Sequence, residues 1–99
     1  RVPILIDGFI SAVSALVAAK LCPKSKCAML ASHVSAEPAA HMVLRYLELK
    51  PLICSEMRLG EGTGAVCALP LLDMGLAVYN EMVSFDAIGM TAYNPLGGN

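Results

Sequence analysis

Charge is scarce in this chain. Only 15 % of its 99 residues are Asp, Glu, Lys or Arg, while 57 % are apolar. An average domain holds about 25 % charged and about 45–50 % apolar residues. So apolar a composition excludes disorder. It is also too apolar for a lone globule of this size, which has much surface to cover and few charges to cover it with. A basic excess is missing too. The formal net charge is −1 and the pI about 6.1, which excludes nucleic acid or an anionic membrane surface as the main partner. Long apolar runs are lacking: the uncharged stretches Gly8 to Ala19 and Gly62 to Leu72 fall short of the roughly 18–20 residues of a spanning helix. No membrane location is therefore expected. The chain opens Arg1-Val2-Pro3-Ile4 without an initiator Met and without the basic, apolar and cleavage regions of a signal peptide. A processed chain or an excised piece is expected, and a piece fits the apolar excess better.

Metal-ligand spacing is absent as well. Cys22-x4-Cys27 matches neither a zinc knuckle nor a thioredoxin-type pair, Cys54 and Cys67 stand alone, and no His lies near any of them at ligand spacing. Each sits among apolar neighbours. Four small buried thiols in a reducing cytoplasm, with no metal, is the expectation.

What is present is an alternation of short apolar runs and longer helical patterns. Val2 to Ile6 stops at Asp7-Gly8 and reads as a strand covered on both faces. Ser11 looks like an N-cap for a helix Ala12 to Leu21, with Val13, Leu16, Val17 and Leu21 as its stripe and alanines allowing close packing. Cys22-Pro23 ends it. After a polar link, Lys24 to Lys26, the run Cys27 to Ala31 reads as a second strand. Ser35 can cap a second helix with Ala39, Val43, Leu44 and Leu47 on its inner face, closed at Glu48-Leu49-Lys50-Pro51. Leu52 to Met57 is apolar and of uncertain type. A long helix then runs from Ala65 to about Val83, with Pro70 expected to kink it. No repeat or low-complexity segment interrupts this order.

Strands alternating with helices imply right-handed βαβ units on a mostly parallel sheet with flanking helices, an α/β fold. Residues 1–89 are expected to form part of such a domain and 90–99 an irregular tail. In parallel sheets ligands bind beyond the carboxyl ends of the strands. Three polar turns follow apolar runs: Asp7-Gly8-Phe9, Ser32-His33-Val34-Ser35 and Leu59-Gly60-Glu61-Gly62. If the runs are parallel, all three meet on one rim.

Gly60, Gly62 and Gly64 permit positive φ and close approach of a ligand, and the following helix start attracts an anion. The motif is neither a Walker loop nor a dinucleotide fingerprint, and it is equally readable as a plain turn. Glu61 stands between glycines, where a turn needs no carboxylate; it is either a base beside a planar substrate or an exposed acid favoured by the helix N-terminus. Asp7 is either a hydroxyl-binding acid at a strand end or a turn former with Gly8. Ser35 reads first as a cap. Ser32 could donate to a ligand. His33 faces the expected rim but has no nucleophile-elbow context, and His41 and Arg58 read as structural and surface residues.

Three blocks, Ile6-Asp7-Gly8-Phe9-Ile10, Ser32-His33-Val34-Ser35-Ala36-Glu37 and Met57-Arg58-Leu59-Gly60-Glu61-Gly62-Thr63-Gly64-Ala65, resemble the C-terminal third of the nicotinate-nucleotide:dimethylbenzimidazole phosphoribosyltransferases. The resemblance runs from Val2 to about Gly89. It implies a C-terminal part of a larger three-layer domain, and transfer of phosphoribose from nicotinate mononucleotide to dimethylbenzimidazole, giving α-ribazole phosphate and nicotinate with inversion, in assembly of the cobalamin lower ligand. It implies Glu61 as catalytic base, Leu59 and Gly60 as walls of the base pocket, and Asp7, Gly8 and Ser35 near the nucleotide. No cofactor is implied. The base role makes chemical sense, because the ring N–H becomes acidic as the other nitrogen bonds to the anomeric carbon. The family's N-terminal portion, which supplies much of the sheet and pocket, has no counterpart here. This leaves a second reading, a non-catalytic α/β piece that self-associates through an uncovered sheet edge.

Overall fold

The structure is a computed structural model and describes residues 2–91 and 94. Strand β1 (Ile4–Ile6) leads into helix α1 (Phe9–Leu21). A 3₁₀ segment, Pro23–Ala28, precedes strand β2 (Met29–Ala31). Helix α2 (Ala40–Leu47) and the long helix α3 (Thr63–Glu81) follow, then a 3₁₀ turn at Asp86–Ile88. Most of the expected irregular tail, 90–99, lies outside the described residues.

The strands β1 and β2 pair in parallel, Ile4 with Met29, Leu5 with Leu30 and Ile6 with Ala31. The apolar segment from Leu52 joins the other side of β2. The Leu52 and Ile53 amides donate to the Ala31 and Ser32 carbonyls at 3.1 and 2.9 Å, and the Val34 amide donates to Ile53 at 3.1 Å. Regular pairing there is limited to one parallel bridge, His33 with Ile53. The expected α/β class with parallel βαβ units is what the chain forms.

One face of this small sheet carries the core. Ile6, Met29 and Ala31 point to one side, as period-two alternation requires, and pack with Ala12, Ala15, Val34, Ala40, Val43, Leu44 and Leu47. Leu47 is 1 % exposed. On the opposite face Leu5 is half-buried and Leu30 half-open.

Several local expectations are corrected. Helix α1 starts at Phe9 with Gly8 as cap residue, and Ser11 instead donates its hydroxyl to the Gly8 carbonyl at 2.8 Å. The buried face of α1 is alanine, Ala12 and Ala15, whereas Val13 and Val17 are exposed and Leu21 is 83 % exposed. Small side chains win the inner face because they let the helix axis approach the sheet and α2. Helix α2 starts at Ala40, not after Ser35, whose Oγ accepts the Glu37 amide at 3.3 Å in a local turn. The polar link is itself 3₁₀, so β2 begins only at Met29. All four cysteines are exposed, because each falls on a surface that no other described element covers. On α3 only Gly64 and Ala68 are buried, not the bulky stripe. With 19 residues and a mean hydropathy of 1.2, α3 is also long and apolar enough to cross a membrane, so length does not exclude a span. Asp73 in its middle opposes one.

Candidate active-site cleft

A cleft of about 990 Å³ opens where the sheet's carboxyl rim, α1 and the glycine loop meet. Asp7 and Gly8 reach it from the end of β1, Ser35 from beyond β2, and Gly60 and Glu61 from the loop before α3. Arg58, Glu37 and His33 also line it. The three turns at Asp7, Ser35 and Glu61 thus share one rim. Leu59 is not among the lining residues and is 71 % exposed.

The loop has an unusual backbone. Gly60, Glu61 and Gly62 have φ of +74°, +56° and +79°. Three successive left-handed residues reverse the chain and aim it into α3. Glycine adopts this freely, but Glu61 has a Cβ and meets a steric cost. The loop is closed by the Thr63 hydroxyl and amide, both donating to the Gly60 carbonyl at 2.7 and 3.0 Å.

Asp7 holds this loop. Its Oδ2 accepts the Gly62 amide and its Oδ1 the Ala65 amide, each at 3.1 Å. These are two of the orphan amides at the start of α3, so Asp7 caps that helix from a strand end far away in sequence. Charge-assisted bonds of this kind are worth about 1.5–3 kcal/mol. With both oxygens committed to backbone, the carboxylate of Asp7 shapes the loop first. Glu61 differs: it is exposed at the cleft, and its carboxylate is in no ion pair with a described residue.

Sequence reasoning puts His33 on the rim but misses its packing against the loop. His33 is 5 % exposed. Its Nδ1 lies 3.2 Å from Ser32 Oγ and 3.9 Å from Asp7 Oδ1. Ser32 spends its only proton on the Ile6 carbonyl at 2.6 Å, so its oxygen accepts at His33, and the network assigns the proton to Nδ1. The ring fills the place where a side chain at residue 64 would be: a Cβ on Gly64 would overlap the His33 imidazole. The signal in the sequence is Gly64 itself, a glycine inside a helix's first turn, where no turn requires it. Arg58, a surface residue by sequence, also lines the cleft. Among the described residues no three of His, Cys, Asp and Glu gather as a metal site.

Comparison with known proteins places this geometry. A family model described as Phosphoribosyltransferase matches residues 1–90. The nicotinate-nucleotide–dimethylbenzimidazole phosphoribosyltransferase of Ruminiclostridium cellulolyticum is 45 % identical over 96 residues, covering 97 % of this chain and 27 % of its own length. The chain belongs to this family. A protein of the same name from Bradyrhizobium diazoefficiens is 49 % identical over 85 residues, 86 % of this chain and 24 % of its own. A crystal structure of CobT from Thermus thermophilus superposes with a TM-score of 0.80 at 38 % identity, covering 90 % of this chain and 26 % of that one. The chain therefore spans about a quarter of the length of the relatives it matches.

Proposed function

We propose that this chain carries the catalytic loop of a phosphoribosyl transfer from nicotinate mononucleotide to dimethylbenzimidazole, with Glu61 as the base. The observation that carries the reading is the conformation of Glu61. A carboxylate held at positive φ between two glycines is strained where a third glycine would not be, and such strain collects at functional sites. In this reading the ring nitrogen of the benzimidazole attacks the anomeric carbon, the bond to nicotinate breaks, and the other ring N–H passes its proton to Glu61. The carboxylate also offsets positive charge developing on the ring. Gly8 and Ser35 would sit beside the nucleotide and Gly60 beside the base, whereas Leu59, expected as a second wall, stands outside the cleft lining.

Conversion needs more than these residues. The chain spans about a quarter of its relatives' length and the cleft is open, so the chain alone is expected not to turn over the mononucleotide. The test is a chimera in which this chain replaces the matching quarter of the Ruminiclostridium cellulolyticum relative. The chimera should form α-ribazole phosphate, and Glu61→Gln within it should lower kcat by about 10²–10⁴ with little change in nucleotide affinity. Near-parental turnover by the Gln variant would sink the assignment. A second reading, self-association without catalysis, is favoured by the exposed apolar faces of α1 and α3; an inactive chimera together with an assembled 99-residue chain would select it.

A further inference from the structure

Asp7 and His33 converge on the loop from two different strand ends. Asp7 takes the amide of Gly62, the residue directly after Glu61, and the amide of Ala65. His33 is buried, tied through Ser32 to the Ile6 carbonyl just before Asp7. It also bridges to Ile53 and so links the third apolar segment to β2. Its ring lies against the Gly64 backbone so closely that no larger residue fits there. One group pulls the loop toward β1 and the other sets how far it can come.

We propose that Asp7 and His33 are positioning residues for Glu61: the carboxylate clamp and the imidazole wedge fix the left-handed loop so that Glu61 is presented to the cleft. This rests on the functional reading above, in which Glu61 is the base. Without the clamp, the three left-handed residues keep only the Thr63 bonds to the Gly60 carbonyl, and the loop relaxes toward ordinary backbone. A base displaced by about 1 Å loses on the order of 10²-fold in rate. Neither residue needs to touch the substrate for this.

Two measurements test the proposal. The first uses the 99-residue chain and amide hydrogen exchange. Asp7→Asn keeps the side chain's size but turns one acceptor into a donor facing an N–H. Protection of the Gly62 and Ala65 amides should be lost, while the Ser32 amide, which donates to Ile6 at 3.0 Å, keeps its own. Unchanged protection at Gly62 and Ala65 would overturn the clamp, and loss at Ser32 as well would reduce Asp7 to a folding role. The second uses the chimera. Asp7→Asn should lower kcat by about 10–100-fold with KM for the mononucleotide nearly unchanged. Gly64→Ala should be as damaging, and adding His33→Ala should recover at least part of the loss, because the wedge is then gone. A KM effect without a kcat effect, or a tolerated Gly64→Ala, would overturn the positioning role. An inactive unsubstituted chimera would instead overturn the function of Glu61, and the positioning role with it, leaving the exchange experiment to judge the clamp by itself.

Discussion

At the scale of single residues, the glycine loop shows conformation and chemistry pulling in opposite directions. Glu61 holds φ of +56° between Gly60 and Gly62. Left-handed backbone costs an ordinary L-residue about 1–2 kcal/mol. Glu61→Gly should therefore raise the stability of the chain, by up to about 1 kcal/mol after the added entropy of glycine in the unfolded state. The same change should abolish phosphoribosyl transfer in the chimera. Urea denaturation and turnover on the same variant check both halves, and a loss of stability in Glu61→Gly would show that the loop is not strained. Gly64 is the opposite case. It has no special φ, yet His33 forbids a Cβ there. Gly64→Ala should cost about 1–3 kcal/mol or more, as overpacking of a filled site does.

At the scale of elements, α1 has two faces with different fates. Ala12 and Ala15 are buried against the sheet and α2, while Ile10, Val13, Val17 and Leu21 form an apolar stripe in the open. Ala15→Leu should destabilise the chain by about 1–3 kcal/mol. Val17→Ser should change the chain's stability by less than about 0.5 kcal/mol, because no described element packs on its exposed side chain. Chemical denaturation of both distinguishes the faces, and equal losses would contradict the assignment. The end of α2 gives a pH effect. Glu48 closes the helix at φ of +54° and pairs with Lys26, whose ammonium holds the carboxyl below its usual range. A lowered folded-state pKa contributes stability above the unfolded-state value and loses it as pH falls through the folded one. Acidification should thus weaken the α2 terminus, and Glu48→Gln should remove that part of the acid dependence. The pair is exposed, so the effect is small and fades with salt.

At the scale of the molecule, surface is the dominant fact. The chain exposes 7712 Å², against about 5,400 Å² for a folded monomer of its mass. Its radius of gyration is 16.8 Å, against about 13 Å for a compact domain of this length. The excess area is of the size that obligate interfaces bury. Much of it is apolar and lies on α3 and the outer face of α1. The outer edge of β1 has no partner strand among the described residues. The 99-residue chain is therefore expected to self-associate, through open edges and apolar faces. Sedimentation of the purified chain should show species larger than a monomer at micromolar concentration; a compact monomer would contradict this.

The sequence by itself determined the alternation of elements, the parallel sheet and the rim on which Asp7, Ser35 and Glu61 meet, because apolar runs ending in polar turns have few ways to fold. It also determined the family, through three blocks of residues in fixed order. The inner face of α2 was legible because Val43, Leu44 and Leu47 follow helical period. Only the tertiary structure decided which face of α1 is inside, since alanine and valine are both apolar and the choice depends on how near the sheet must come. It decided the fate of the cysteines, whose apolar neighbours turned out to be surface in this chain. It also decided where Asp7 and His33 stand relative to the glycine loop. The bond from Asp7 to Gly62 joins residues far apart in sequence, and the space that excludes a side chain at Gly64 belongs to a ring on another segment. Local pattern carries periodicity and turn chemistry; it does not carry the distance between two groups that only folding brings together.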